Sequence, residues 1–534
     1  VIHTLAGGGV RSTLDADVCI VGSGAAGLAL AAQFLDTGWR VVLLESGRQR
    51  ATDAADLLNE ARSVGTRHRG ATAGRVRALG GTTLAWGGQL LPLRASEVDA
   101  RAWIAHSGWP LSLESLQPYY RRAEAMLGVV GPPYAEDVWD RLGLERPDLD
   151  RDVFTFRFSQ WAPLGRRNLA VLLGRALRAS RRLQVLLDAT VAHITTTADG
   201  SSVREVDAVA SDGTSVRVRA DCYVLACGAI ETPRLLLSST DGRGRAIANA
   251  SGLVGRFFQD HVSCIAGEIE PVSRERLQRL FDPRYREGTM YSCKIELADP
   301  MQESLRTLNA IAHVKFAIPQ SLGLLEARRM IDRLQRGQAP VTSLREAAAL
   351  AGGAAQLSRM ALARVLARRR LSPPSGVIQL LIDTEQCPDA DSRITLDAQR
   401  DSLGMRRARI DWRVGEQEMH SIKTIGTLLA ESWERAGLGR IRLADRLDFD
   451  REDELGAARD TYHHMGTTRM SAMPADGVVN ADLRCHDVVN LYIVGGSVFP
   501  TGGVANPTFT IIALALRLAD EIKGQLGKRS RPAA

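Results

Sequence analysis

Two adjacent histidines and an asparagine late in the chain, and three glycines near its start, have types and spacing that could do chemistry. Tyr462 to Met470 reads YHHMGTTRM, and Asn490 to Ile512 reads NLYIVGGSVFPTGGVANPTFTII. A neutral imidazole, from His463 or His464, is a base suited to work near pH 7. Neighbouring side chains usually point different ways, so one of the pair serves a given site, and spacing alone does not choose which. Gly495 and Gly496 let the backbone turn closely against a ligand. Asn506 is a good N-cap, with Pro507 at the first helical position. A helix starting there aims its positive dipole end at negative charge building on a bound ring.

At the other end, Asp17 to Glu45 reads DVCIVGSGAAGLALAAQFLDTGWRVVLLE. Gly22, Gly24 and Gly27 follow an apolar β-rich run in G-x-G-x-x-G spacing. Gly22 permits the tight turn, Gly24 admits a pyrophosphate to the backbone, and Gly27 allows close helix–strand packing. The helix opening at Ala25 and Ala26 offers free N–H groups to phosphates. Glu45 can accept hydrogen bonds from ribose hydroxyls, and its charge repels a 2′-phosphate. With strand, helix, strand and acid all in place, this is a dinucleotide-binding unit, though it does not say which dinucleotide.

These groups need elements to hold them. The pattern predicts strands over Val18 to Val21 and Trp39 to Leu44, with a helix from Ala25 to Asp36 stopped by Gly38. It predicts a capped helix within Ser107 to Val129, strands within Leu183 to Thr196, a hairpin over Ser201 to Ala220, and a buried strand over Cys222 to Cys227. A helix is expected from about Thr232. Gly376 to Thr384 and Ser392 to Leu396 read as sheet. Leu491 to Val494 reads as a strand, and Phe509 to Ile522 as an apolar helix.

At 534 residues, with 45% hydrophobic and 24% charged residues, the chain has the composition of a soluble globular protein of two domains. Its seven cysteines lie apart with no C-x-x-C, which argues against a zinc site or a disulfide framework. Cys222 and Cys227 are expected as core thiols. No run is long and apolar enough for a membrane span, no leader pattern opens the chain, and the expected location is cytoplasmic. Residue 1 is Val, so a segment before it is not excluded. The net charge of +7 is matched by Ser321 to Ser372 alone, which holds ten arginines against three acids. The remainder is neutral in sum, so nucleic acid is not an expected partner. The basic segment reads as helices broken at Gly337 to Pro340 and at Gly352–Gly353. A solvated arm or active-site lid is the preferred reading of it, ahead of docking on an anionic membrane or an electron-accepting subunit.

Taken together, the residues resemble the glucose–methanol–choline (GMC) oxidoreductases, which bind FAD. Four separated features carry the resemblance: GSGAAG with Glu45, the GGTT of Gly80 to Thr83, GAIETPRLLLSS from Gly228 to Ser239, and the HHMGTTRM and VANPTFT pair. They span both ends of the chain, while the middle matches poorly. The resemblance implies an α/β fold with a discontinuous Rossmann-like FAD-binding domain (residues 12–95, 180–265 and 456–528). It adds an α+β substrate domain (96–179 and 266–455) with an antiparallel sheet and the helical insertion 321–372. It implies that Gly22, Gly24, Ala25, Ala26, Gly27, Glu45 and Ser46 hold the ADP half of FAD. Gly80, Gly81 and Thr82 lie near pyrophosphate and flavin, Val191 meets the adenine, and Gly228 and Ala229 turn near the ADP portion. Gly496 and Ser497 pass the ribityl chain, while Pro507 and Thr508 start the helix aimed at the flavin. Some members attach FAD through a histidine whose place here is Ala85, so the FAD is expected to be non-covalent. His463 falls on the family's catalytic histidine and Asn506 on its partner. The expected reaction is oxidation of a CH–OH group in a sugar, glycoside, polyol or other alcohol, with hydride passing to flavin N5. Oxygen or a quinone is the expected acceptor, and no metal is expected. A lyase or decarboxylase on the same fold is the alternative.

Overall fold

The structure, a computed structural model, describes residues 1–317, 322–336, 339–341, 343–366, 368–372, 376–452 and 454–529. An eight-stranded sheet sits beneath the glycine-rich turn. Its parallel centre runs Leu183–Leu187, Val41–Leu44, Thr13–Val21 and Ser215–Leu225. Strand Leu491–Ile493, from the far end of the chain, pairs parallel with Tyr223–Leu225. The hairpin Thr190–Thr196 and Val203–Val209 closes that side antiparallel, and Ile2–Thr4 adds a parallel edge beyond Leu183–Leu187. The central strands are buried on both faces, which accounts for their unbroken apolar runs.

Several boundaries differ from those read in the sequence. The second arm of the expected hairpin and the buried strand form one element, Ser215–Leu225, because its register against Thr13–Val21 continues through both. The first helix is Ala25–Ala32, shorter than expected. Beyond it the chain turns, with Thr37 Oγ1 donating to the Phe34 carbonyl and the Phe34 ring buried. The helix after Cys227 starts at Gly228 rather than near Thr232, so Pro233 sits inside it. The final helix is longer than expected, Pro507–Arg529, and packs on Ala25–Ala32 and Leu113–Leu127. Tyr120 and Thr510 share a 2.8 Å hydrogen bond across that contact.

The second sheet has nine strands and is antiparallel. Its main order is Gly439–Leu443, Val262–Pro271, Ile378–Thr384, Ala310–Phe316, Thr289–Leu297, Phe154–Trp161 and Gln89–Leu90. Alternation along these strands separates two faces. Phe156, Ile295, Ala312, Ile382 and Cys264 share the apolar face in register. Helix Glu416–Arg435 covers it with Ile422, Ile425, Leu429 and Trp433. Lys294, His313, Asp383 and Ser263 lie on the opposite face. A small third sheet joins Arg393–Arg400, Arg406–Trp412 and Ala61–Gly65.

The insertion holds helices Leu322–Gln335, Leu344–Gly352 and Ala354–Leu366. The expected break at Gly352–Gly353 separates the last two. Gly337 and Gln338, in the other expected break, lie outside the described residues. Among the described residues no helix is long and apolar enough to cross a membrane.

Candidate active site

The two ends of the chain meet over one elongated cavity. At one end it is lined by Gly22, Gly24, Ala25, Ala26, Glu45, Ser46, Val191, Gly228 and Ala229. At that end it is also lined by Gly81 and Thr82, and elsewhere by Trp86, His463, Gly496, Pro507 and Thr508. Four of the expected residues, Gly27, Gly80, Ser497 and Asn506, are not among those that line it. Gly27 works by packing: a Cβ there would lie 1.9 Å from the Gly22 carbonyl oxygen. Gly80 ties the two glycine segments together, its N–H reaching the Ser23 carbonyl and hydroxyl, each at 3.2 Å. Ser497 is buried, and its hydroxyl has no partner within the protein.

Glu45 is more occupied than its place at the strand end suggests. Its Oε2 accepts from the Ser23 N–H at 3.0 Å and the Ser23 hydroxyl at 2.6 Å. Its Oε1 accepts from the Gly47 N–H at 2.7 Å and the Ser46 hydroxyl at 3.3 Å. The carboxylate therefore shapes the glycine turn as well as facing the cavity, and the Ser46 hydroxyl also accepts from Arg77 at 2.9 Å. Gly81 shows how tightly the turns nest: at φ +53°, a Cβ on it would lie 2.7 Å from Gly24 Cα.

Sequence reading missed the arginines of the wall. Arg75 and Arg77 line the cavity and pair with Glu231 at 2.7 and 2.9 Å, and Arg234 pairs with the same carboxylate at 3.0 Å. Burial alone would raise the Glu231 pKa, but the three guanidiniums outweigh it and hold the carboxyl well below its usual range. The cluster leaves a net positive charge beside the cavity. Cys227 also lines the cavity rather than the core, because it caps the helix at Gly228, whereas Cys222 is buried. Burial, then Glu231 and Glu45, push the Cys227 thiol up to about 12, so it stays protonated. All seven cysteines are free.

The adjacent histidines diverge, as neighbours do. Tyr462, at φ +67°, places the turn before them. His463 Nε2 lies 3.2 Å from Asn506 Nδ2. Its Nδ1 lies 2.8 Å from Thr461 Oγ1 and 2.9 Å from His261 Nδ1. The Thr461 hydroxyl donates to Asp260, so it accepts from His463, which assigns the ring proton to Nδ1. The lone pair on Nε2 then faces Asn506. Burial first, then His261, push the His463 pKa down to about 4, against the opposing pull of Asp260 and Asp383. The ring is thus a neutral base at neutral pH.

Asp260 anchors the loop from beneath. Its Oδ1 accepts the backbone N–H groups of His261, Thr461 and His463 at 2.7, 3.2 and 2.9 Å. Nothing in the sequence marks it, since it lies 203 residues from His463 and meets it only through the fold. His464 turns to the other side of Asp260, with its Nε2 3.8 Å from Oδ2 and its ring 5.3 Å from that of His68. His68, Asp260 and His464 bring three possible metal-ligand atoms within 4.8 Å of one another. The Ala71 N–H, however, donates to His68 Nδ1 at 3.1 Å. The His68 proton is therefore on Nε2, where it donates to Asp260 at 3.2 Å and where a metal would need a lone pair. His68 and Asp260 form a hydrogen-bonded support for the loop, while His464 Nε2 has no hydrogen-bond partner in the protein.

Two segments of the chain, residues 169–263 and 388–515, match family models described as GMC oxidoreductase. The chain is 24% identical to the fructose dehydrogenase large subunit of Gluconobacter japonicus, with 97% of this chain and 99% of that one covered. It is 26% identical to the paromamine 6'-oxidase of Streptomyces fradiae, with 96% and 92% covered. Its fold matches the crystal structure of pyridoxine 4-oxidase from Mesorbium loti with a TM-score of 0.56 at 20% identity, covering 95% of this chain and 99% of that one.

Proposed function

The chain belongs to the GMC oxidoreductase family, and from that premise we propose that the protein oxidises a CH–OH group of a sugar, glycoside, polyol or related alcohol to a carbonyl, with His463 as the base and Asn506 as its partner. The family's cofactor is FAD, and the cavity suits it. One end has the close-nested Gly24 and Gly81 backbones and the Glu45–Ser46 pair. Gly496 and the start of helix Pro507–Arg529 line it too, and the hydroxyl of the adjoining Ser497 has no partner in the protein. Bound there, FAD would supply the hydride acceptor.

The observation that carries the reading is the neutral His463 with its Nε2 lone pair beside the Asn506 amide. Nε2 takes the substrate hydroxyl proton as the carbinol C–H bond breaks. Asn506 Nδ2 donates to the same oxygen and orients it. Asp260, Thr461 and His261 hold the ring through its backbone N–H and Nδ1, so the base is positioned before substrate arrives. Replacing His463 by Ala is expected to slow anaerobic flavin reduction by about 10²-fold or more, the scale of lost general-base catalysis. An unchanged rate in stopped-flow would show that the base lies elsewhere.

The FAD is held without a covalent bond: Ala85, at the end of the turn Gly81–Leu84, offers no nucleophile. Oxygen or a quinone would be the electron acceptor. The division at residues 12–95, 180–265 and 456–528 against 96–179 and 266–455 makes the first group the cofactor domain. The insertion acts as an arm over the flavin segment, since Gln335 Nε2 donates to the carbonyls of Thr83 and Trp86 at 3.3 and 2.6 Å. The relatives are named as dehydrogenases and oxidases, and the lyase alternative has no support among them.

A further inference from the structure

We propose that the insertion docks the protein on an anionic lipid surface, with Leu362, Val365 and Leu366 of helix Ala354–Leu366 entering the headgroup layer and the surrounding arginines meeting lipid phosphates. Docking of this kind places the enzyme and does not depend on which alcohol it oxidises.

The arm's last two helices lack the packing that usually holds a helix. Leu344–Gly352 buries none of its residues, and none of the described side chains of Ala354–Leu366 is buried. Helices this short are marginal in water without a packed apolar face. Their anchorage is one-sided. Arg364 stacks on the Tyr285 ring, 4.7 Å from its centroid, at the edge of the nine-stranded sheet. Just beyond the helix, the Arg370 N–H donates to the Pro283 carbonyl at 2.8 Å. With about 3.6 residues per turn, Leu362 and Leu366, two residues either side of Arg364, project from the opposite side of the helix, and Val365 falls beside them. Leu362, Val365 and Leu366 are 58, 74 and 74% exposed. Leu344, at the start of the preceding helix, is 91% exposed. A solvated arm would turn polar residues outward, whereas this one turns out a stripe of leucine and valine.

Charge names the occupant. Residues 321–372 hold ten arginines against three acids. Two of those acids are already taken, Glu326 by Arg329 at 2.5 Å and Glu346 by Arg333 at 2.8 Å. Most of the arginines therefore find no acid within the segment. Arg359, three residues before Leu362 and so on the same side, and Arg345, next to Leu344, are exposed beside the apolar side chains. Leucine and valine on one side with arginine around them is the pattern of a helix lying in a membrane interface, where long basic side chains reach the phosphates. A second copy of the chain would bring the same positive excess against this one. A protein partner would call for an aromatic anchor, and residues 321–372 contain no Phe, Tyr or Trp. Among the described residues no helix is long and apolar enough to cross a membrane, so the arm would lie on its surface. Gln335 joins the arm to Trp86 of the cavity wall, so docking would hold the cavity near the lipid.

The test is co-sedimentation of the FAD-loaded full chain with vesicles of phosphatidylcholine, alone or mixed equally with phosphatidylglycerol. The wild type is expected to bind the mixed vesicles, to leave them as salt is raised, and to ignore phosphatidylcholine alone. Leu362→Ser, Val365→Ser and Leu366→Ser together are expected to weaken binding about tenfold or more, the scale of three apolar side chains withdrawn from the interface. Arg345→Gln and Arg359→Gln are each expected to weaken it about fivefold, the effect of one basic residue at an anionic surface. The replaced side chains are exposed, so the flavin spectrum and Tm should match the wild type, and either set of variants alone decides. No binding to the mixed vesicles overturns the proposal. Equal binding to phosphatidylcholine alone overturns the anionic class. Binding that survives both sets of variants places the contact elsewhere and overturns the arm as its site. Self-association of the wild type that the triple variant abolishes, without vesicle binding, would show a second copy covering the stripe in place of lipid.

Discussion

Acid should slow this enzyme far less than it slows one with an ordinary histidine base. An imidazole with the usual pKa of about 6.5 is roughly nine-tenths protonated at pH 5.5, so a base of that kind loses about tenfold between pH 8 and pH 5.5. His463 is pushed down to about 4, by burial first and by the adjoining His261 second. More than roughly nine-tenths of it stays neutral at pH 5.5. The folded value is lowered, so the active neutral form is present at all higher pH and is lost only as pH falls through about 4. Anaerobic stopped-flow reduction of the FAD-loaded protein at saturating substrate should therefore be nearly flat from pH 8 to pH 5.5. Replacing His261 by Asn removes the second cause and should shift the acid limb upward. An acid limb near pH 6.5 in the wild type, unmoved in His261→Asn, would refute the assignment of a buried base in contact with His261.

Replacing Glu45 by Ala removes the acceptor for the Ser23 and Gly47 N–H groups as well as a ribose-facing carboxylate. Each buried donor left unpaired costs about 1–3 kcal/mol, so both thermal stability without cofactor and retained FAD should fall. Gly81→Ala puts a Cβ 2.7 Å from Gly24 Cα at a positive φ. Strain of about 1–3 kcal/mol should lower FAD occupancy after gel filtration, with secondary structure by circular dichroism unchanged. Acid precipitation should release all the yellow colour into the supernatant; colour retained in the pellet would mean a covalent link at a residue other than Ala85.

Local chemistry was legible in the sequence and long-range assembly was not. The turn at Gly22 to Gly27 and the start of the final helix follow from residues within a few positions of each other, so pattern alone finds them. The length of Ser215–Leu225 depends on its ladder with Thr13–Val21, which no local window contains. The same holds for the site. His463 and Asn506 stand in recognisable segments, and the fold brings them to 3.2 Å. Asp260 and His261 sit in an unremarkable FFQDHV stretch, and their part appears only when the strand they precede is laid under the His463 loop. The Arg75, Arg77, Arg234 and Glu231 cluster was hidden for the same reason: its members come from a loop and a helix about 156 residues apart. Glu45 was visible, but its four internal donors, two backbone N–H groups and two serine hydroxyls, were not, because which groups turn toward it depends on the folded turn.

Anaerobic titration of the FAD-loaded protein with a panel of sugars, polyols, glycosides and simple alcohols, followed by flavin absorbance, bears most directly on the proposed reaction. Bleaching of the flavin band by at least one polyhydroxylated member, with a carbonyl product formed in equal amount, is the expected result. A flavin that stays oxidised throughout the panel while a substrate is converted would contradict oxidation at His463.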